Sequence, residues 1–189
     1  MLSAPFNNRF LWYCTCLSFC LLIGGCISTP PERYFDLAVL NANMINGISN
    51  DGSMSELTYP SAKMVDGNKD HVVVMKRKEM MDQKIQFLEE NFEKLQELKE
   101  TPQTKEMLQT AVALNKYVIA IYKNEYQQLA KLYDDGAPAT QIKAMAQSIH
   151  DKYYTTYEAL FNKLISTGKV YAAQNNIEVN WGVQTSPSL

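Results

Sequence analysis

The reactive chemistry of this chain concentrates in one pentapeptide, Leu22-Ile23-Gly24-Gly25-Cys26. Arg9 and the initiator amine precede an apolar run from Phe10 to Ile23, and two small residues follow, the three-part layout of a secretory signal with its cleavage site. Gly24 and Gly25 leave the backbone open to a peptidase, and Cys26 stands directly after them. That stretch of 14 residues is too short for a spanning helix, which takes about 20. Cleavage before Cys26 would discard Cys14, Cys16 and Cys20, so four cysteines reduce to one and no intramolecular disulfide can form. Packing alone would then hold the fold.

Other chemistries find less support. Metal sites need several converging ligands, yet only His71 and His150 occur, with no His-x-x-x-His or Glu-x-x-His pair, so no metal and no cofactor is expected. Neither histidine adjoins a nucleophile motif, and Gly47, Gly52 and Gly67 are isolated rather than grouped into a phosphate loop. Glu89, Glu90, Glu93, Glu97 and Glu100 form a dense acidic run, but they fall off the apolar stripe of their segment, where water keeps carboxylates ordinary. These features predict a protein that is not an enzyme. Glu125 is the exception to the pattern, since it occupies a stripe position between Ile121 and Leu132; a rim residue and a buried polar contact both fit it.

The pentapeptide resembles the lipobox of bacterial lipoproteins, with Ile23 in place of the usual Leu three positions before the cysteine. The resemblance implies that the Cys26 thiol is diacylated, that residues 1–25 are then removed, and that the freed amine is acylated in turn. It implies Cys26 as the first mature residue and the site of lipidation. Asp is absent after Cys26, where Ile27 and Ser28 stand; within this family that implies the outer membrane of a Gram-negative cell, with the protein facing the periplasm. Two or three acyl chains make a long-lived anchor, because each buried methylene contributes about 0.8 kcal/mol and one chain holds only marginally.

The elements that follow must do the positioning. Residues 26–31 form a lipidated tether containing Ser28-Thr29-Pro30-Pro31, and residues 32–175 form the folded domain. A shorter helix is predicted over Glu32–Gly47, and Gly, Asn, Asp, Ser and Pro at turn-forming density predict a long loop over 46–68. Val74, Met81, Ile85, Leu88, Phe92 and Leu95 predict a helix within 69–100. Thr101-Pro102 then reads as an N-cap and first helical residue, opening a third segment, 102–134, with Met107, Ala111, Leu114, Val118, Ile121, Leu129 and Leu132 inward. Gly136 is its C-cap, although Asp134 and Asp135 oppose the helix dipole there. Ala137-Pro138 restarts the chain, and Ile142, Met145, Ile149, Tyr153, Tyr157, Leu160 and Leu164 mark a fourth segment to about Gly168 or on to Asn175. The expected fold is all-α, an up-and-down helical bundle of three long helices plus a shorter N-terminal helix. In the tail, 176–189, Ile177, Val179, Trp181 and Val183 alternate as in a strand, with docking along the helices as the other outcome.

Tyrosines crowd the last two helices. Tyr117, Tyr122, Tyr126, Tyr154 and Tyr157 do not share one side, and tyrosines wet at one end are favoured where proteins meet partners, so a groove between the third and fourth helices is the predicted partner-binding surface. The full chain carries a formal charge of −2, and loss of Arg9 with the leader makes it more negative, which argues against nucleic acid. The expectation is a membrane-anchored protein-protein interaction module, its partner another envelope protein, in an assembly, secretion-associated or immunity-type role. The alternative is a small-molecule or lipid-binding bundle with a tyrosine-lined cavity.

Overall fold

The computed structural model describes residues 29–45, 48, 51–65 and 67–181, excepting the side chains of 51–54, 68 and 70. The lipobox, the lipidation site Cys26, and the tail beyond Trp181, Val183 included, lie outside the described residues. The described chain is mostly helical, with one antiparallel β-hairpin that an all-α reading omits.

Helix α1 (Pro31–Ala38) starts with proline in its first turn and buries Tyr34, Phe35 and Ala38. The single helix expected over 32–47 breaks at its end, where the chain tightens into a 3₁₀ segment, Leu40–Ile45. The reason is a change of period: Val39, Ala42, Ile45 and Ile48 are all buried and recur every third residue, the repeat of a 3₁₀ turn rather than of an α-helix. The predicted loop also resolves into structure. It holds α2 (Asp51–Thr58), whose Leu57 is wholly buried, and β1 (Ala62–Val65).

Strand β2 (Asn68–Val74) pairs with β1 through Ala62 opposite Val74, Lys63 opposite Val73 and Met64 opposite Val72. Gly67 turns the chain at a φ of 69°. Val74 therefore belongs to a strand and is exposed, which corrects its place in the helical stripe. Helix α3 (Arg77–Gln96) begins only after it and buries Met81, Ile85, Leu88 and Leu95 as the period requires.

Thr101 and Thr104 cap one another reciprocally, the amide of each donating to the other's hydroxyl, and this turn delays α4 (Lys105–Ile121) by three residues against the Thr101-Pro102 expectation. Helix α4 continues through a π segment, Tyr122–Tyr126, into α5 (Gln127–Asp134). A Schellman turn closes α5, with Gly136 at positive φ and the Ala137 amide donating to the Leu132 carbonyl at 2.9 Å. Helix α6 (Ala139–Gln174) runs past Gly168 and ends in the same way: Asn176 takes a φ of 55°, and the Ile177 amide donates to Ala172. No strand forms in the described tail. Ile177, Val179 and Trp181 instead pack against the core, and the Trp181 ring meets Phe35 edge-on at 5.7 Å.

Helix α4 lies along α6, α3 lies along α4 and α5, and α1 fits against α3, α4 and α6. Gly168 makes the α1 contact close. A Cβ placed there would stand 2.8 Å from a methyl of Val39 and 3.1 Å from the other, and a β-branched side chain has little freedom to yield. Alanine gains up to about 1 kcal/mol over glycine in a helix, while overpacking a tight contact costs about 1–3 kcal/mol. Gly168→Ala should therefore lower the unfolding free energy by about 1 kcal/mol in urea titration, and Val39→Ala in the same chain should recover part of that loss. Unchanged or raised stability in the single variant would contradict this packing.

Candidate functional site

The π segment decides which tyrosines are available. One extra residue per turn rotates the following helix, so Tyr122 and Tyr126 point inward, 2% and 1% exposed, and Leu129 and Ala130 stay in the core behind them. Burial pushes the Tyr122 phenol far above its ordinary range, with the neighbouring Tyr126 adding to the effect. Tyr157 is also buried, so three of the five tyrosines expected to form a partner groove are interior residues. This corrects the predicted surface. Only Tyr117 and Tyr154 of that set stay half-exposed.

The same rotation settles Glu125. It leaves the stripe and faces α6, where it accepts a hydrogen bond from the Tyr153 hydroxyl and pairs with Lys152 at 3.2 Å. Tyr117 completes the cluster, its hydroxyl donating to the Tyr153 carbonyl at 3.2 Å and its ring edge-on to Tyr153 at 6.2 Å. The Tyr153 hydrogen bond, followed by the Lys152 ammonium, holds the Glu125 carboxyl below its usual range. Tyr153, followed by the Glu125 carboxylate, holds the Lys152 ammonium above its own. Farther along α6, His150 stacks on Tyr154 at 4.8 Å, and Tyr154 donates to Glu158 at 3.1 Å. These contacts join α4, the π segment and α6.

An open groove of about 420 Å³ lies instead between α3 and the π segment, lined by Asp82, Ile85, Gln86, Glu89, Lys123 and Gln127. Its polar groups already have partners, Gln86 donating to Glu90 at 2.9 Å. Asp82 accepts from Lys78 and Gln127, which hold its carboxyl below the ordinary range, and Lys123 pairs with Glu89. Among the described residues no three His, Cys, Asp or Glu side chains converge to hold a metal ion, and no helix is long and apolar enough to cross a membrane.

The feature that sequence reasoning missed is the hairpin. Its register puts Ala62, Met64, Val72 and Val74 on one face, while Lys63 and Val73 take the other. Lys63 pairs with Glu79 of α3, and Val73 on the same face is 38% exposed, less than the large apolar residues of the other face. Met64, Val72 and Val74 are 55%, 52% and 66% exposed, and Tyr59 beside the hairpin is 78% exposed. A half-buried sheet ordinarily shows the opposite arrangement, apolar in and polar out. Among the described residues the sheet has two strands, so each keeps one edge that no described strand pairs. The signal was present in the sequence as Asp66-Gly67 between two β-rich runs, a hairpin dipeptide.

A tight junction carries the hairpin. Asp134, one of the acids that oppose the dipole of their own helix, accepts the amides of Arg77 and Lys78 at 2.9 and 3.0 Å and so caps the start of α3. Arg77 donates to the Leu57 carbonyl at 3.1 Å and lies 5.6 Å from the Tyr133 ring centre. Met75, buried, fastens the stem through its amide to Ser61. Asp134→Ala should cost about 1–2 kcal/mol in urea unfolding, the loss of a two-pronged cap, and Asp134→Asn should cost less.

Glu125 makes a second prediction. Its carboxyl is held low in the folded state, so its contribution to stability is present above the ordinary carboxylate range and is lost as pH falls through the depressed value. Tyr153→Phe should move the Glu125 titration midpoint upward when followed by carboxyl NMR, and an unmoved midpoint would contradict the assignment of the hydrogen bond. No protein-family model, no curated protein and no solved structure matches this chain.

Proposed function

We propose that this chain is a lipoprotein of the Gram-negative outer membrane, held by acyl chains on Cys26 and facing the periplasm, and that it acts as a protein-protein interaction module. It catalyses no reaction. In this reading the helices form an up-and-down bundle that serves as a rigid post, and the hairpin is its working end. Helix α6 has 36 residues, which is about 54 Å at 1.5 Å per residue. Residue 31 starts at the end of the post where α6 finishes, as the Tyr34 bond to the Lys99 carbonyl and the Phe35–Trp181 contact require. The hairpin stem sits at the opposite end, beside Asp134. The lipobox would thus hold one end at the membrane and present the apolar strands far from it.

One observation carries the reading: the more exposed face of the hairpin is apolar, Ala62, Met64, Val72 and Val74. Such a face and a free strand edge suit another envelope protein that lays a strand or an apolar patch on it, the edge supplying main-chain hydrogen bonds and the valines supplying contact. The decisive experiment compares the mature lipidated protein with a Val72→Lys, Val74→Lys variant, both isolated from envelopes after mild cross-linking. The wild type should carry a stoichiometric protein partner, and the variant should carry at most a tenth as much at equal helicity. Equal recovery with both, or a bound small molecule in place of a protein, would contradict the proposal.

A further inference from the structure

We propose that the end of the molecule opposite the hairpin rests on the lipid surface itself, with Trp181 seated at the headgroup level. The inference rests on acylation of Cys26. Five residue steps separate Cys26 from Pro31, where α1 begins, and a chain of that length reaches about 17 Å at most. Pro30 and Pro31 stiffen it further. The start of α1 is therefore held beside the membrane, and whatever surrounds it lies within the same short reach.

What surrounds it has the chemistry of an interfacial patch. Trp181 is half-buried, one edge against Phe35 in the second turn of α1 and its face toward the Lys169 ammonium at 5.4 Å. An indole with one side packed, one side open and a lysine beside it matches residues that sit between hydrocarbon and water. Val170 follows Lys169 and is 57% exposed, and Leu40 follows the Val39 that touches Gly168, at 41% exposed. These two are large apolar side chains in water at the same level of α6. Nearby charges show no cationic excess: Arg33, Lys99 and Lys169 stand with Glu32, Asp36, Glu100 and Glu178. Contact of this kind is apolar and local rather than a long-range attraction to anionic lipid, so salt and lipid charge should affect it little.

The tail explains how Trp181 arrives there. The Schellman turn at Asn176 reverses the chain as α6 ends, and Ile177 and Val179 hold it against the core until the indole reaches α1. Residues 177–181 thus bring an interfacial aromatic beside the tethered helix, which a shorter tail could not do.

The mature protein provides its own probe, because Trp12 leaves with the leader and Trp181 is then the single tryptophan. The lipidated protein is reconstituted into phosphatidylcholine vesicles whose acyl chains carry bromine near the headgroup, and emission is read at low and high salt. Shallow bromine should quench Trp181 at least about twofold against unbrominated vesicles, deep bromine should quench it less, and salt should leave both unchanged. Insertion of 20 Gly-Ser residues between Ser28 and Thr29 should abolish most of the quenching. Mass spectrometry of the same sample separates the two ways of failing. An acylated Cys26 with unquenched Trp181 would overturn the membrane contact and leave the anchor standing, whereas a bare sulfur would overturn both. Emission that follows protein concentration instead of bromine would assign the patch to a second copy and overturn the proposal.

Discussion

The Asp134 carboxylate is the constraint on which the arrangement of elements depends. At the end of α5 it opposes the dipole of its own helix, and it stays there because α3 starts opposite it with two amides lacking intrahelical partners. That one group fixes the depth of α3 against α5 and the point at which β2 must stop. Arg77 extends the constraint to α2 through Leu57 and to Tyr133. Without a disulfide to brace it, the hairpin projects from a junction of hydrogen bonds, a partly buried ion pair and buried Met75.

A second constraint acts halfway along the long helical pair. The π segment adds a residue where the inward stripe would have offered Glu125 to the core, and two tyrosines take the inward positions. Glu125 is thereby turned to Tyr153 and Lys152, so a carboxylate that would be costly in the interior becomes a half-exposed tie to α6. Rotation of one helix segment accounts for the burial of Tyr122 and Tyr126 and for the placement of Glu125 alike.

Long elements were legible in the sequence, and interruptions were not. Met81, Ile85, Leu88 and Leu95 kept the helical period and are buried, as are Met107, Leu114 and Val118, because periodic apolar stripes over several turns leave few alternatives. Val74 fitted that stripe by spacing alone, but a Val-Val-Val run behind a turn satisfies strand pairing better than a helix start. The 3₁₀ segment was visible in its period of three, which a search for 3.6 passes over. The tyrosine surface failed for a physical reason: a π insertion changes which side chains face inward, and no residue type announces it. The hairpin's outward valines could be assigned a direction only from the pairing register, which depends on the bulged step after Met64.

Together these features describe a post with two different ends. At one end a tryptophan without cationic excess stands beside α1; at the other, four apolar residues are exposed on a hairpin whose outer edges pair with no described strand. Lys63, Lys69 and the bulged step after Met64 blunt the hairpin near its turn, whereas Val72, Val73 and Val74 carry no such device. Amide hydrogen exchange along β2 reads partner contact directly, measured for the protein in native envelopes and again after purification into detergent. Amides of Asn68–Val74 should exchange at least tenfold more slowly in envelopes, with α3 and α6 unchanged. Equal exchange of β2 in both settings would contradict that contact.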